Sequence, residues 1–304
     1  MELLLGSIVS GLMLGAVLAL VALGLTIIFG MMDIVNFAHG EFLMIGMYSG
    51  LLTAKATGLD PLLTLPVAAL VGFALGVACY AGFVRFLLRG PMIAQLLGTF
   101  GLMLFLRNLA LMFFGANDRS LQSGLLVGKS MELGMGIILS ATKLAVALLA
   151  VVAFTAVWLL MNRTRLGKAL TATALNRQGA SYMGIPTERM NALAWGIGGG
   201  SVTVAGALIV NFWAVNPYIG LIFTMIAFTV VALGGFGSVP GAFLAGLVVG
   251  LITEIPGFWD FFAITFDAQW MFDVPMTSFK YMWIYVAYFL IMVLRPRGLF
   301  GWKQ

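Results

Sequence analysis

The chain of 304 residues is 62% hydrophobic and only 9% charged, against roughly 25% charged in an ordinary soluble domain. Its net charge of +5 arises from basic residues gathered in three places: Arg85 and Arg89; Arg163, Arg165, Lys168, Arg177 and Arg189; and Arg295, Arg297 and Lys303. Lipid is therefore the expected solvent, nucleic acid is excluded as a partner, and the basic clusters mark the cytoplasmic side by the positive-inside rule.

The first apolar window, Leu3 to Phe29, has no basic segment before it and is too long for the core of a secretory signal, so it reads as a retained transmembrane helix. Further windows run Phe37 to Thr53, Leu62 to Leu88, Met92 to Phe114, Leu144 to Met161, Met190 to Val210, Tyr218 to Leu233, Ala242 to Ile255 and Tyr281 to Leu294. A bilayer crossing takes about 20 apolar residues, which predicts an all-α polytopic transmembrane bundle over 1–304, a single domain with eight or nine spans. Nine spans put the N-terminus outside and Arg295, Arg297 and Lys303 inside. Cys79 stands alone inside a window, so the sequence holds neither a disulfide framework nor a cluster of soft metal ligands.

Two interruptions stand out. The first window gives way to Gly30-Met31-Met32-Asp33-Ile34-Val35-Asn36-Phe37-Ala38-His39-Gly40-Glu41, and the two shortest windows flank Gly234-Gly235-Phe236-Gly237-Ser238-Val239-Pro240-Gly241. Each is either a tight turn at the membrane face or a broken helix on a solute path, since irregular backbone at membrane depth survives only where it lines a cavity or is buried in protein. Asn36, His39, Glu41, Asn216, Gly235, Gly237 and Ser238 are accordingly candidate pathway or gate residues. His39 and Glu41 are the titratable pair at a break, expected near the cytoplasmic end of the second span, where they shape an inner gate or serve structure alone.

Arg107 lies far enough along the Met92 window to reach the outer interface, where a long side chain can snorkel to water; anchoring is its expected role. The spacing of Arg163 to Arg189 predicts a short helix along the cytoplasmic face, with Leu170, Ala174 and Met183 toward protein or lipid, Lys168, Arg177 and Gln178 in water, and Gly184 and Pro186 as the stop. Thr187 is the expected N-cap of the next span. Small residues, as in Gly196 to Ser201 and the Gly246/Gly250 pair, predict close helix approach in lipid. Phe258 to Trp283, with Pro256 and Pro275, reads as the largest outward loop.

The series Asn36-Phe37-Ala38-His39-Gly40-Glu41, Thr99-Phe100-Gly101-Leu102, Arg165-Leu166-Gly167-Lys168-Ala169 through Ala180-Ser181-Tyr182-Met183-Gly184-Ile185, Asn216-Pro217-Tyr218-Ile219-Gly220 and Gly234 to Ala242 resembles, in order and spacing, the LivH-type permeases of branched-chain amino acid ABC importers. The resemblance implies an inner-membrane subunit paired with a second, LivM-like permease, two cytosolic ATPase subunits and a periplasmic solute-binding protein. It further implies that Lys168, Thr171, Leu175, Arg177, Ala180 and Gly184 belong to a coupling helix seated on one ATPase. ATP and Mg are then expected in those partners and no cofactor in this chain, in keeping with the lack of a phosphate loop: Gly167-Lys168 is followed by Ala169 and lacks the upstream glycine.

Two departures bear on substrate and partner. Ile226 stands before Ala227-Phe228 where the family commonly has lysine, and Ala174-Leu175-Asn176-Arg177-Gln178 replaces a stretch often acidic. Related permeases serve branched-chain amino acids, urea, amides and organic acids. The alternative class is an ion-driven secondary transporter, which needs carboxylates or histidines near the bilayer midplane. A channel finds no support in Asn216-Pro217 alone, and an intramembrane enzyme lacks the polar equipment.

Overall fold

The computed structural model describes residues 2–121, 124, 126, 128–132, 138–265, 279–295 and 298–299, and within them each apolar window falls on a helix. In chain order these are α1 (Glu2–Met32), α2 (His39–Thr57), a 3-10 turn (Pro61–Thr64) leading into α3 (Leu65–Cys79), a π-helical turn (Tyr80–Val84) and α4 (Arg85–Leu87), then α5 (Met92–Phe114). After an antiparallel hairpin of β1 (Ser130–Glu132) and β2 (Ile138–Ser140) come α6 (Ala141–Arg163), α7 (Arg165–Leu175), α8 (Arg177–Tyr182), α9 (Thr187–Ile209), α10 (Ile219–Gly234), α11 (Val239–Thr265) and α12 (Lys280–Leu294). The chain is an all-α polytopic bundle.

Five helices are long and apolar enough to cross a membrane alone, and the pair α10 and α11, bent by 119° at their junction, makes six by length and composition. The remaining windows lie on α2, which carries His39, Glu41 and Lys55, and on the 15-residue α12. Helix α11 continues through Pro256 to Thr265, which corrects the outward loop read from Phe258 as far as that residue; residues 266–278 lie outside the described residues. Proline had marked that loop, yet within a membrane span neighbouring groups can satisfy the backbone that a proline leaves free. Pro275, Arg297 and Lys303 lie outside the described residues.

The bundle is built around α1 and α9, whose most apolar windows are 83% buried within the chain, against 22% for α5, α6 and the span Pro61–Leu87. A helix apolar on every side either spans lipid or is enclosed by protein, and α1 is enclosed by α6, α9, α10 and α11. The small residues make this possible. A Cβ on Gly246 would stand 2.7 Å from Ala19 Cα, and one on Gly15 2.7 Å from Leu247 Cα, closer than any real side chain sits, so α1 and α11 meet backbone to backbone as the Gly246/Gly250 spacing predicts.

Candidate functional site

The first break is a built structure. α1 stops at Asp33, whose φ of 52° is left-handed and whose amide bonds Phe29 O at 2.8 Å, a conformation that short polar residues tolerate at a helix end. The chain then turns back as an irregular segment. Asn36 Oδ1 accepts the Ala38 amide at 3.1 Å, and Thr99 of α5 donates to Val35 O at 3.0 Å. His39 Nε2 donates to Val21 O at 2.8 Å. Val21 lies eleven residues before the end of α1, about 16 Å at 1.5 Å per residue, so α2 starts inside the span rather than at its mouth.

That placement corrects the position near the cytoplasmic end of the span expected for His39 and Glu41, which are 1% and 0% exposed. It also corrects Arg107. Instead of snorkelling outward, Arg107 reaches across to α2, its Nη2 2.6 Å and Nε 3.2 Å from Glu41 Oε1, with 13% of its side chain exposed. A carboxylate buried without a counter-charge costs several kcal/mol, and that cost outweighs the pull of the guanidinium toward water. The second carboxylate oxygen, Oε2, has no hydrogen-bond partner among the described residues.

Directly beside this pair lies the start of α10. The Gly40 amide donates to Thr224 Oγ1 at 3.0 Å, and Thr224 Oγ1 donates to Gly220 O at 2.9 Å. A Cβ on Gly40 would overlap the Gly220 carbonyl oxygen, and one on Gly220 would stand 2.8 Å from the Glu41 carboxylate. Thr224 and Gly220 thus complete the site, although the sequence reading singled out neither for it.

Residues 210–218, between α9 and α10, form a second break from the opposite end. Val215 pairs with Arg119 through both backbone bonds, at 2.8 and 2.9 Å, and Asn216 donates to Asp118 Oδ1 at 2.7 Å. Asn216 Oδ1 also accepts the Tyr218 amide at 2.9 Å, just as Asn36 Oδ1 accepts that of Ala38. In both breaks an asparagine turn precedes a helix whose second residue is the crossing glycine, Gly40 or Gly220. The two helices meet at their first turns, which sets the N-terminal end of α10, a partial positive charge, beside the buried Glu41 carboxylate.

Gly235, Gly237 and Ser238 lie apart from this crossing, at the far end of α10. Phe236 packs on Phe29 with ring centroids 4.5 Å apart, and a Cβ on Gly30 would stand 3.1 Å from Gly237 Cα. Gly237 joins Thr171 and Leu175 of α7 and Asp33 around a cavity of about 360 Å³. Pathway and coupling candidates therefore form two sites, one at the crossing and one at the basic end.

The stretch expected to form a single coupling helix is two helices. Thr164 caps α7 by accepting the Gly167 amide at 3.0 Å, and Asn176, in an extended conformation, ends α7 and caps α8 through Gly179 N at 2.8 Å. Asparagine competes well for local backbone bonds, which the charge pattern alone did not show. Leu170 and Ala180 are buried, whereas Lys168, Thr171, Ala174, Leu175, Arg177 and Gly184 are exposed. Met183, expected against protein or lipid, is 82% exposed. Gly184, at φ 80°, ends the stretch as expected, but Thr187 is the first helical residue of α9 and Pro186 holds its N-cap position without a side-chain bond. Arg177 pairs with Glu188, and Tyr80 donates to the other Glu188 oxygen at 2.7 Å, tying α8 to the π-helical turn.

A polytopic helical bundle with paired broken spans and a basic, two-helix platform defines a membrane permease. Residues 7–294 match the model of the branched-chain amino acid transport system / permease component family, and the chain belongs to that family. It is 31% identical to the high-affinity branched-chain amino acid transport system permease protein LivH of Escherichia coli K12, covering 96% of this chain and 94% of that protein. It is 29% identical to the permease protein BraD of Pseudomonas aeruginosa, over 97% and 94%. A probable LivH of Methanocaldococcus jannaschii is 26% identical over 94% and 90%.

Proposed function

We propose that this chain is one of two permeases in an ATP-driven, binding-protein-dependent importer of branched-chain or closely related amino acids. The family match over residues 7–294 carries the reading. The partners are a second, LivM-like permease, two cytosolic ATPases that hold ATP and Mg, and a periplasmic protein that selects the solute. The basic end, with α7, α8 and the C-terminus, faces the cytoplasm.

In this reading the crossing of α2 and α10 is the gate and the platform of α7 and α8 receives the ATPase stroke. Leu175, Tyr182 and Met183 are 70%, 81% and 82% exposed on an otherwise polar, basic surface, a pattern that suits a protein interface. The link from Arg177 through Glu188 to Tyr80 offers a route from the platform into the span Pro61–Leu87. An ion-driven carrier is less well supported, because Glu41 is neutralised by Arg107 and His39 is committed to Val21 O.

Reconstitution tests the reading. Proteoliposomes holding the co-purified complex are expected to take up L-leucine or L-isoleucine only with ATP inside the ATPase compartment and the binding protein outside. Uptake by this chain alone, driven by an ion gradient without ATP, overturns it.

A further inference from the structure

At the end of the bundle opposite α7 and α8, a cavity of about 320 Å³ opens between α1, α6, α11 and the segment after α9. Its size falls at the lower end of small-molecule sites, which run from roughly 300 to 1,000 Å³. Met13, Leu14, Phe212 and Trp213 supply an apolar wall, while Lys143 and Glu254 bring one positive and one negative charge to the same space. Both charged residues are half-buried. Among the described residues neither forms an ion pair, with the other or with any third group.

Two opposite charges lining one cavity attract, yet these are held more than a salt-bridge length apart by α6 and α11. The gap leaves each charge free for a different end of one guest. An ammonium suits Glu254 and a carboxylate suits Lys143, with an apolar body against Met13, Leu14 and the two aromatic residues. A guest with one charge only leaves the other charge half-buried and uncompensated, so recognition of both ends is built into the site.

We infer that the Lys143–Glu254 cavity binds a small zwitterion with an apolar body, a free amino acid of the leucine type or the ammonium-and-phosphate headgroup of a lipid. The inference rests on the import reading for the identity of the solute, which it gives a stopping place on the outer side, and on the cavity alone for its chemistry.

The test uses the full chain with its co-purified membrane partners, without the soluble binding protein, in nanodiscs of phosphatidylglycerol alone, whose headgroup has no ammonium. The probes are L-leucine, isocaproate, which lacks the ammonium, and isoamylamine, which lacks the carboxylate. Wild type is expected to bind leucine in preference to both. Lys143→Gln and Glu254→Gln should each weaken leucine binding roughly tenfold, the worth of one charged hydrogen bond. The loss is selective: Lys143→Gln no longer favours leucine over isoamylamine, and Glu254→Gln no longer favours it over isocaproate. Because each variant is compared across ligands, a general loss of folded protein cannot imitate this pattern.

Phosphatidylethanolamine added to the nanodiscs separates the sources, since competition with leucine in wild type but not in the variants assigns the zwitterion to lipid. Absence of leucine binding to wild type, or binding of all three probes alike in wild type and both variants, overturns the inference. Charge-dependent binding without ATP-dependent amino acid uptake by the complete importer leaves the cavity assignment standing and removes the import reading. Uptake without charge-dependent binding does the reverse.

Discussion

Gly40 and Gly220 touch so closely that a methyl group on Gly40 would occupy the place of the Gly220 carbonyl oxygen. The neighbour is backbone and has no side-chain freedom with which to yield. Overpacking a well-filled site costs about 1–3 kcal/mol, and here the only relief is to separate α2 from α10. Gly40→Ala is expected to reduce ATP-dependent uptake at least roughly tenfold, with a lowered unfolding midpoint; Gly220→Ala, whose Cβ meets the Glu41 carboxylate and not backbone, should do so to a smaller extent, and Gly101→Ala, with nothing in the way of a Cβ, should leave both unchanged. Uptake by the first two at the level of Gly101→Ala would remove the crossing from the mechanism.

The ion pair of Glu41 and Arg107 gives a second prediction. Removing one partner of a buried pair costs about 3–5 kcal/mol, while replacing both with neutral groups costs far less. Arg107→Met should therefore destabilise the purified chain strongly, and Glu41→Gln with Arg107→Met should recover much of the loss. Thermal unfolding in nanodiscs reads this directly. Transport separates structure from gating: if the pair is part of the gate, the double variant regains stability without regaining uptake.

Tyr80 is the only residue of the π-helical turn whose hydroxyl reaches the platform, through Glu188. Tyr80→Phe removes one hydrogen bond to a charged group, about 1.5–3 kcal/mol where the site is buried and less where, as here, the carboxylate is largely exposed. Stability should change little. The expected effect is fewer amino acids imported per ATP hydrolysed, measured as paired uptake and phosphate release in the same vesicles, and an unchanged ratio counts against this route.

Asn176 separates α7 from α8 and caps the latter. Asn176→Ala should cost about 0.5–2 kcal/mol locally, and Asn176→Gly only a few tenths. The readout is amide exchange over 177–182, faster in the alanine variant, together with weaker retention of the ATPase subunits during purification. Equal exchange in both variants would show that the cap does not set the shape of the platform.

The helices were legible because lipid imposes one rule, uninterrupted apolar length, and windows such as Met92 to Phe114 obey it to the residue. The breaks were legible too, since Asn36 and Gly40 or Gly235 and Gly237 do not suit a helix interior. What the sequence hid was depth. His39 could be placed at the end of a window but not at the height of Val21, because a segment that turns back into the span has the same composition as one that leaves it. Arg107 was misplaced for the same reason: its position along α5 is readable, but its partner is an acid on another helix. The matching asparagine turns at residues 36 and 216 carry a signal in retrospect, a glycine four positions after each asparagine, too short to stand out unaided.

The enclosure of α1 bears on how the chain is assembled. Helix α1 packs chiefly against α9 and α11, which are synthesised only after α2 to α8. Until then it must rest in lipid, and a segment apolar on every side does so at little cost. Its later move from lipid to protein gains little from hydrophobicity and depends on close backbone contact. Gly11 and Gly15, facing Leu251 and Leu247, are thus the points at which a biosynthetic intermediate closes into the finished permease, and bulky substitutions there should trap a full-length chain that is inserted but not assembled.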